Sequence, residues 1–263
     1  MHVRIADQDV HCEITGQGPW LTLSHSLATD LGMWQPQLDA LGRHFKLLRY
    51  DTRGHGGSSA SPAPYTLEQL ADDADALLGH LEIQRTHWLG LSMGGMIGQM
   101  LAIRHPQRLD RVVLADTTGQ VPAAGAAMWA DRARVARSEG MQALESATLS
   151  RWFTAPFRQA HPALMDRIGA MIRGTSVEGY AGCCAAIAGV DTLAALAQLR
   201  APALVIVGAQ DEGTPPAAAE AIVEQWPGAK LAVLPDAAHL SNIEQAAAFN
   251  AAVLEFLGAP AAE

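Results

Sequence analysis

Short runs that are apolar almost throughout alternate, in the first half of the chain, with longer stretches in which apolar positions recur every three or four residues. Residues 20–24, 46–50, 86–91 and 111–115 are of the first kind. A strand with one face in water alternates apolar and polar, whereas one covered on both faces reads as a continuous apolar run. Residues 33–45, 66–81 and 93–105 have helical spacing, the last stopped by Pro106. Thr66-Leu67-Glu68-Gln69 predicts a capping box, in which hydroxyl and amide side chains satisfy orphan helix amides. At the start, Val3-Arg4-Ile5 and His11-Cys12-Glu13-Ile14 predict a hairpin about Asp7-Gln8-Asp9. The order strand, helix, strand, helix predicts an α/β fold, a mostly parallel central sheet flanked by helices.

That rhythm stops between about 118 and 199, where the pattern is helical and no strand is predicted. It resumes with strands at 203–207 and 230–234 around a helix at 215–226. Ser241-Asn242-Ile243-Glu244 predicts a second capping box, opening a last helix to about Leu257. About eighty residues between two strands of one sheet are too many for a loop. Residues 1–118 and 200–263 are therefore expected to form the core. Residues 119–199 are expected to form an inserted helical cap over the sheet's carboxyl edge, where open α/β sheets bind ligands.

Composition narrows the function classes. The 263 residues are 49% hydrophobic and 17% charged, enough for one large core. A net charge of −9 argues against a basic nucleic-acid surface. No apolar run of membrane-spanning length occurs, and the N-terminal residues lack the apolar run of a signal peptide. The three cysteines, Cys12, Cys183 and Cys184, are too few and odd in number for a disulfide framework. A cytoplasmic protein that engages neither nucleic acid nor membrane is expected; oligomeric state is not read from these features.

The chemistry centres on Gly90-Leu91-Ser92-Met93-Gly94, between a predicted strand and a predicted helix. That context makes the pattern a nucleophile elbow: a sharp turn that projects a strained serine beside a helix N-terminus. A serine needs a base within hydrogen-bond reach, and the base needs an acid to orient it. Position selects His239 among ten histidines, because it follows the last predicted strand. Asp211 follows the strand at 203–207 and is the leading acid; Asp116, after the strand at 111–115, is its competitor. Two amides should stabilise developing negative charge, those of Met93 and Leu27. His25 is expected to prop the loop bearing Leu27, and residues 51–56 to brace the loops near the elbow. Asp72, Asp73 and Asp75 read as a solvated helix face. No H-E-x-x-H, C-x-x-C or G-x-x-x-x-G-K pattern occurs, so neither metal nor nucleotide cofactor is expected.

With these residues in view, the chain resembles the α/β-hydrolase superfamily over nearly its whole length, and within it the bacterial 3-oxoadipate enol-lactonases. The elbow and the Asp51-Thr52-Arg53-Gly54-His55-Gly56 loop are superfamily-wide. Arg151-Trp152-Phe153-Thr154, Gly179 to Ile187 and Ala238-His239-Leu240-Ser241-Asn242-Ile243-Glu244-Gln245 are narrower. The chain departs from the pattern at Ser26 and Ala28, where glycines are common. The resemblance implies cofactor-free hydrolysis of 3-oxoadipate enol-lactone in the β-ketoadipate route. Other carboxylesterases, C–C bond hydrolases, perhydrolases and acyltransferases share the same three residues. The implied substrate is a small lactone or ester with a remote carboxylate, which needs a cation or several donors if buried. The expected substrate-binding residues are Ser26, from the loop after the strand at 20–24, and Trp129, Arg132, Arg151 and Trp152, from a cap that also carries Arg134, Arg137, Arg158, Arg167 and Arg173.

Overall fold

The apolar runs form strands covered on both sides. Leu21, Leu23, Leu47, Leu48, Leu89, Val113, Leu114, Val205 and Ile206 are all fully buried. They belong to β3 (Trp20–Ser24), β4 (Lys46–Tyr50), β5 (Thr86–Leu91), β6 (Leu109–Ala115) and β7 (Ala203–Gly208). With β1 (His2–Ile5), β2 (Gln8–Gly16) and β8 (Lys230–Leu234), these complete an eight-stranded sheet ordered β1-β2-β4-β3-β5-β6-β7-β8. The first two pairings are antiparallel and the rest parallel. This is a computed structural model, and it describes residues 1–258. The Ala/Pro-rich tail at 259–263, which the sequence reading assigns to the core, lies outside the described residues.

The parallel strands put every strand-to-helix loop of the core on one edge of the sheet. Helix α1 (Leu38–Leu41) precedes β4, α2 (Leu67–His80) precedes β5, and α3 (Met93–Arg104) follows it. Six helices then separate β6 from β7: α4 (Ala123–Glu139), α5 (Gln142–Trp152), α6 (Ala155–Ala160), α7 (Pro162–Gly174), α8 (Val177–Ala188) and α9 (Leu193–Leu196). Helix α8 touches the core backbone to backbone. A methyl group on Gly179 would overlap the Gly54 carbonyl, so the absence of side chains sets the approach. After β7 come α10 (Pro216–Gln225), β8, α11 (Ser241–Glu244) and α12 (Ala246–Leu257). No helix among the described residues is long and apolar enough to cross a membrane.

Four local expectations are corrected. The hairpin turns at Ala6 and Asp7, with Ala6 at φ 47° and Ile5 paired to Gln8, so β2 begins earlier than predicted. Residues 31–37 form a 3₁₀ turn capped by the Asp30 carboxylate, with Pro36 removing an amide donor, and only 38–41 are α-helical. Thr66 does cap α2 by accepting from the Gln69 amide, but the acidic face of that helix is not free in solvent. Asp72 pairs with Arg104 and His105, Asp73 with Arg53, and Asp75 with Arg108.

The fourth concerns the last helix. Leu240, not Ser241, precedes α11, and no side chain caps it. The Ser241 hydroxyl donates to Asp116, while Glu244 accepts from Ala238 and Thr154. Tertiary partners take both side chains of the expected capping box, and the helix breaks at Gln245.

Candidate active site

Ser92 stands at the tip of the turn from β5 into α3 with φ 56° and ψ −115°, a conformation that a non-glycine residue holds only under constraint. The constraint is visible. The Ser92 amide donates to the Ala115 carbonyl at 2.8 Å. A methyl on Gly90 would overlap the Gly94 carbonyl, and one on Gly94 the Ser24 carbonyl. Two strands and the first turn of α3 thus leave room for this backbone path and no other side chains.

The Ser92 hydroxyl lies 2.9 Å from His239 Nε2, and His239 Nδ1 lies 2.8 Å from Asp211 Oδ2. A carboxylate can only accept, so Nδ1 carries the proton and Nε2 is free to accept from Ser92. Asp211 is itself held. Its Oδ1 accepts the amides of Gly213 and Thr214 at 2.8 and 3.0 Å, and the Thr214 hydroxyl donates to Oδ2 at 2.7 Å. Thr214 escaped the sequence reading. An aspartate accepting amides two and three residues ahead is common turn chemistry, and that was the available signal.

The electrostatics follow from burial and these partners. Burial disfavours charge on the Asp211 carboxyl, but the His239 charge and the bonds from His239 and Thr214 outweigh it and hold the pKa below its ordinary value. Burial likewise disfavours the His239 cation. The Asp211 charge and hydrogen bond, with a smaller contribution from Asp116, raise that pKa above its ordinary 6.5. Asp116, the competing acid, is completely buried at the end of β6. Its Oδ1 accepts the Gly208 amide at 2.8 Å and its other oxygen the Ser241 hydroxyl. Burial and the neighbouring Asp211 charge push it up to about 8.

The loop after β3 supplies the facing wall. His25 donates to the Ser26 carbonyl from Nδ1 and accepts the Thr52 amide at Nε2, 2.8 Å away, which fixes the loop as expected. Asp51 ties residues 51–57 to the same region through the Leu31 and Gly57 amides. Ala28 takes φ 60°. Leu27 lines the cavity beside Ser92, and Met93 opens α3, where helix amides have no intrahelical acceptor.

These residues surround a cavity of about 180 Å³. All five expected substrate-binding residues line it: Ser26, Trp129, Arg132, Arg151 and Trp152. Arg132 sits over the Trp129 ring at 4.5 Å, and Trp152 stacks against His239 with centroids 6.5 Å apart. Other arginines of the helical insert are engaged elsewhere. Arg134 pairs with Asp131, Arg137 with Glu178 and Arg173 with Glu145, while Arg158 donates to backbone carbonyls. Arg132 and Arg151 face the cavity, and neither forms an ion pair among the described residues. Burial, then the nearby Arg132 charge, lowers the Arg151 pKa. Tyr180, Met96 and Thr148 also line the space. No periodicity marks them; they arrive through the crossing of α3, α5 and α8. A groove of about 580 Å³ at the opposite ends of β6 and β7, bordered by Arg85 and Arg200, holds no histidine, serine or cysteine.

The alpha/beta hydrolase fold family matches residues 19–246 of the chain. The 3-oxoadipate enol-lactonase 2 of Acinetobacter baylyi is 40% identical, over 89% of this chain and 87% of its own. The crystal structure of the enol-lactonase from Burkholderia xenovorans superposes with a TM-score of 0.95 at 42% identity, covering 98% of this chain and 100% of that one. A thermophilic esterase from Thermogutta terrifontis, solved with malate bound, gives 0.92 at 30% identity over 98% of each chain. Sheet order, elbow geometry and these likenesses agree that the chain belongs to the alpha/beta hydrolase family.

Proposed function

We propose that the protein is a serine hydrolase that opens the ring of 3-oxoadipate enol-lactone to give 3-oxoadipate, acting in the cytoplasm in aromatic catabolism by the β-ketoadipate route. One observation carries the substrate class: two arginines without carboxylate partners among the described residues face a serine–histidine–aspartate line across a small, mostly apolar cavity. An unpaired guanidinium at a partly buried site is costly, and a substrate carboxylate satisfies it by charge-assisted hydrogen bonds. The enol-lactonase relatives and the malate held by the Thermogutta esterase support a carboxylate-bearing ligand.

In this reading residues 119–199 are the cap that holds the substrate's carboxylate, and the core performs the chemistry. Ser92 attacks the lactone carbonyl as His239 Nε2 takes its proton, with Asp211 stabilising the imidazolium. The amides of Met93 and Leu27 receive the oxyanion. Collapse expels the ring oxygen as an enol, which takes the proton from His239 and stays tethered to the acyl-enzyme. Water, deprotonated by His239, attacks the ester, and Ser92 recovers its proton as the second carboxylate is released. No step uses a cofactor.

Steady-state rates on the enol-lactone beside a neutral aryl ester test the substrate. Arg132→Ala is expected to raise KM for the lactone at least about tenfold, the loss of one hydrogen bond to a charged group, and to spare the neutral ester. Equal loss on both substrates removes Arg132 from carboxylate recognition. A wild-type enzyme that favours the aryl ester makes this chain a general esterase.

A further inference from the structure

The helical insert and the loop bearing His239 meet at one short seam. The Leu240 amide donates to the Trp152 carbonyl at 3.0 Å, and the Trp152 ring stacks against the imidazole. Beneath them lies Glu244, 9% exposed and turned back across the single turn of α11. Its Oε1 accepts the Thr154 amide at 2.9 Å and the Thr154 hydroxyl at 2.7 Å. Its Oε2 accepts the Ala238 amide at 2.6 Å. One oxygen of a single carboxylate thus holds the residue before His239, and the other holds the second residue after Trp152. The insert's side of the seam is stiffened in turn, because Arg158 donates to the carbonyls of Ser150 and Phe153.

We propose that Glu244 is a positioning residue that locks the substrate-facing wall of the insert, Arg151 and Trp152, to the base His239. The inference rests on the proposed function for its substrate. Hydrogen bonds from amides and hydroxyls to a carboxylate are stronger than those between neutral groups, and a buried carboxylate resists losing any of them. The arrangement joins two tasks that sit on different elements. Where the insert places the substrate's carboxylate and where the core places the base are coupled across this seam, and Glu244 is the side chain that holds both of its sides by hydrogen bonds. Misplacement of a reacting group by about 1 Å can cost about 10²-fold in rate, so a bridge of this kind acts on kcat.

The test uses the full chain, with enol-lactone and a neutral aryl ester assayed in parallel. Thr154→Val removes one donor to Glu244 and keeps the amide; it is expected to lower kcat about tenfold. Glu244→Ala is expected to lower kcat about 10²-fold. The double variant is expected to be no worse than Glu244→Ala, because both remove one link. Glu244→Gln keeps an acceptor for Thr154 and recovers part of the loss. The downfield proton resonance of the His239–Asp211 hydrogen bond reports base placement independently, and it is expected to shift in Glu244→Ala. Titration with a fluorophosphonate counts competent sites, so loss of folded protein is separated from loss of rate. Wild-type kcat in Thr154→Val, or losses that multiply in the double variant, overturns the proposal and leaves Glu244 a local brace. If Glu244→Ala does not fold, Thr154→Val decides. If the enol-lactone is not turned over, the substrate reading fails while kcat on the aryl ester still decides the role of Glu244.

Discussion

Two carboxylic acids approach His239 from neighbouring strand ends, Asp211 after β7 and Asp116 after β6, and their hydrogen bonds divide them. Asp211 meets the imidazole, whereas Asp116 spends its oxygens on Gly208 and Ser241. Asp211→Asn is therefore expected to cost on the order of 10⁴ in kcat. Asp116→Asn keeps an acceptor for the Gly208 amide and is expected to stay within about tenfold of wild type. Steady-state kinetics of the two variants decide the matter, and the reverse order of losses reassigns the acid. Ser92, Asp211 and His239 were legible in the sequence because each follows an apolar run, and parallel strands deliver such residues to one edge. The place of Tyr180 was not legible, since only the crossing of α8 over the cavity brings it to the wall. Ser241 and Glu244 were misread because a local motif and a tertiary partner compete for the same side chain, and the sequence displays only the local one.

Among the elements, α8 depends most on what it lacks. Its Gly179 lies against Gly54 of the loop after β4, with no space for a methyl group. Gly179→Ala is expected to destabilise the protein by about 1–3 kcal/mol, the usual cost of overpacking. Gly174→Ala, at the end of α7 with open space around it, is expected to be neutral or to stabilise by up to about 1 kcal/mol through helix propensity. Thermal denaturation of both variants checks the contrast, and equal shifts would show that the close approach of α8 carries no weight. The parallel strands were legible to within two residues, because most are covered on both faces and read as apolar runs, whereas the antiparallel β2 begins three residues earlier than predicted. The segment 33–45 was not, because one internal proline converts helical spacing into a 3₁₀ turn.

For the whole molecule, the raised His239 pKa links catalysis and stability with opposite signs. The proposed mechanism needs neutral His239, so kcat/KM should rise with pH along a limb whose midpoint lies above 6.5. The protonated imidazole is the form the fold stabilises. That contribution is complete below the unfolded value and is lost as pH rises through the folded one. A pH profile of kcat/KM between about 5 and 9 tests this, and a midpoint at or below 6.5 contradicts the paired geometry of His239 and Asp211. The run of helices between β6 and β7 was legible as an interruption of rhythm, while the shape of the cavity they border was not, because it depends on how six helices settle. The chain leaves β6 at one edge of the sheet and re-enters β7 at the other, but the insert's own ends meet at its base, where Gln120 pairs with Asp191. An excursion whose two ends are adjacent can change length at little thermodynamic cost, about 0.6 kcal/mol for each doubling. The fold therefore offers a port: a different set of helices could be spliced between residues 120 and 191 to line a different cavity, with the strand order and the elbow left untouched.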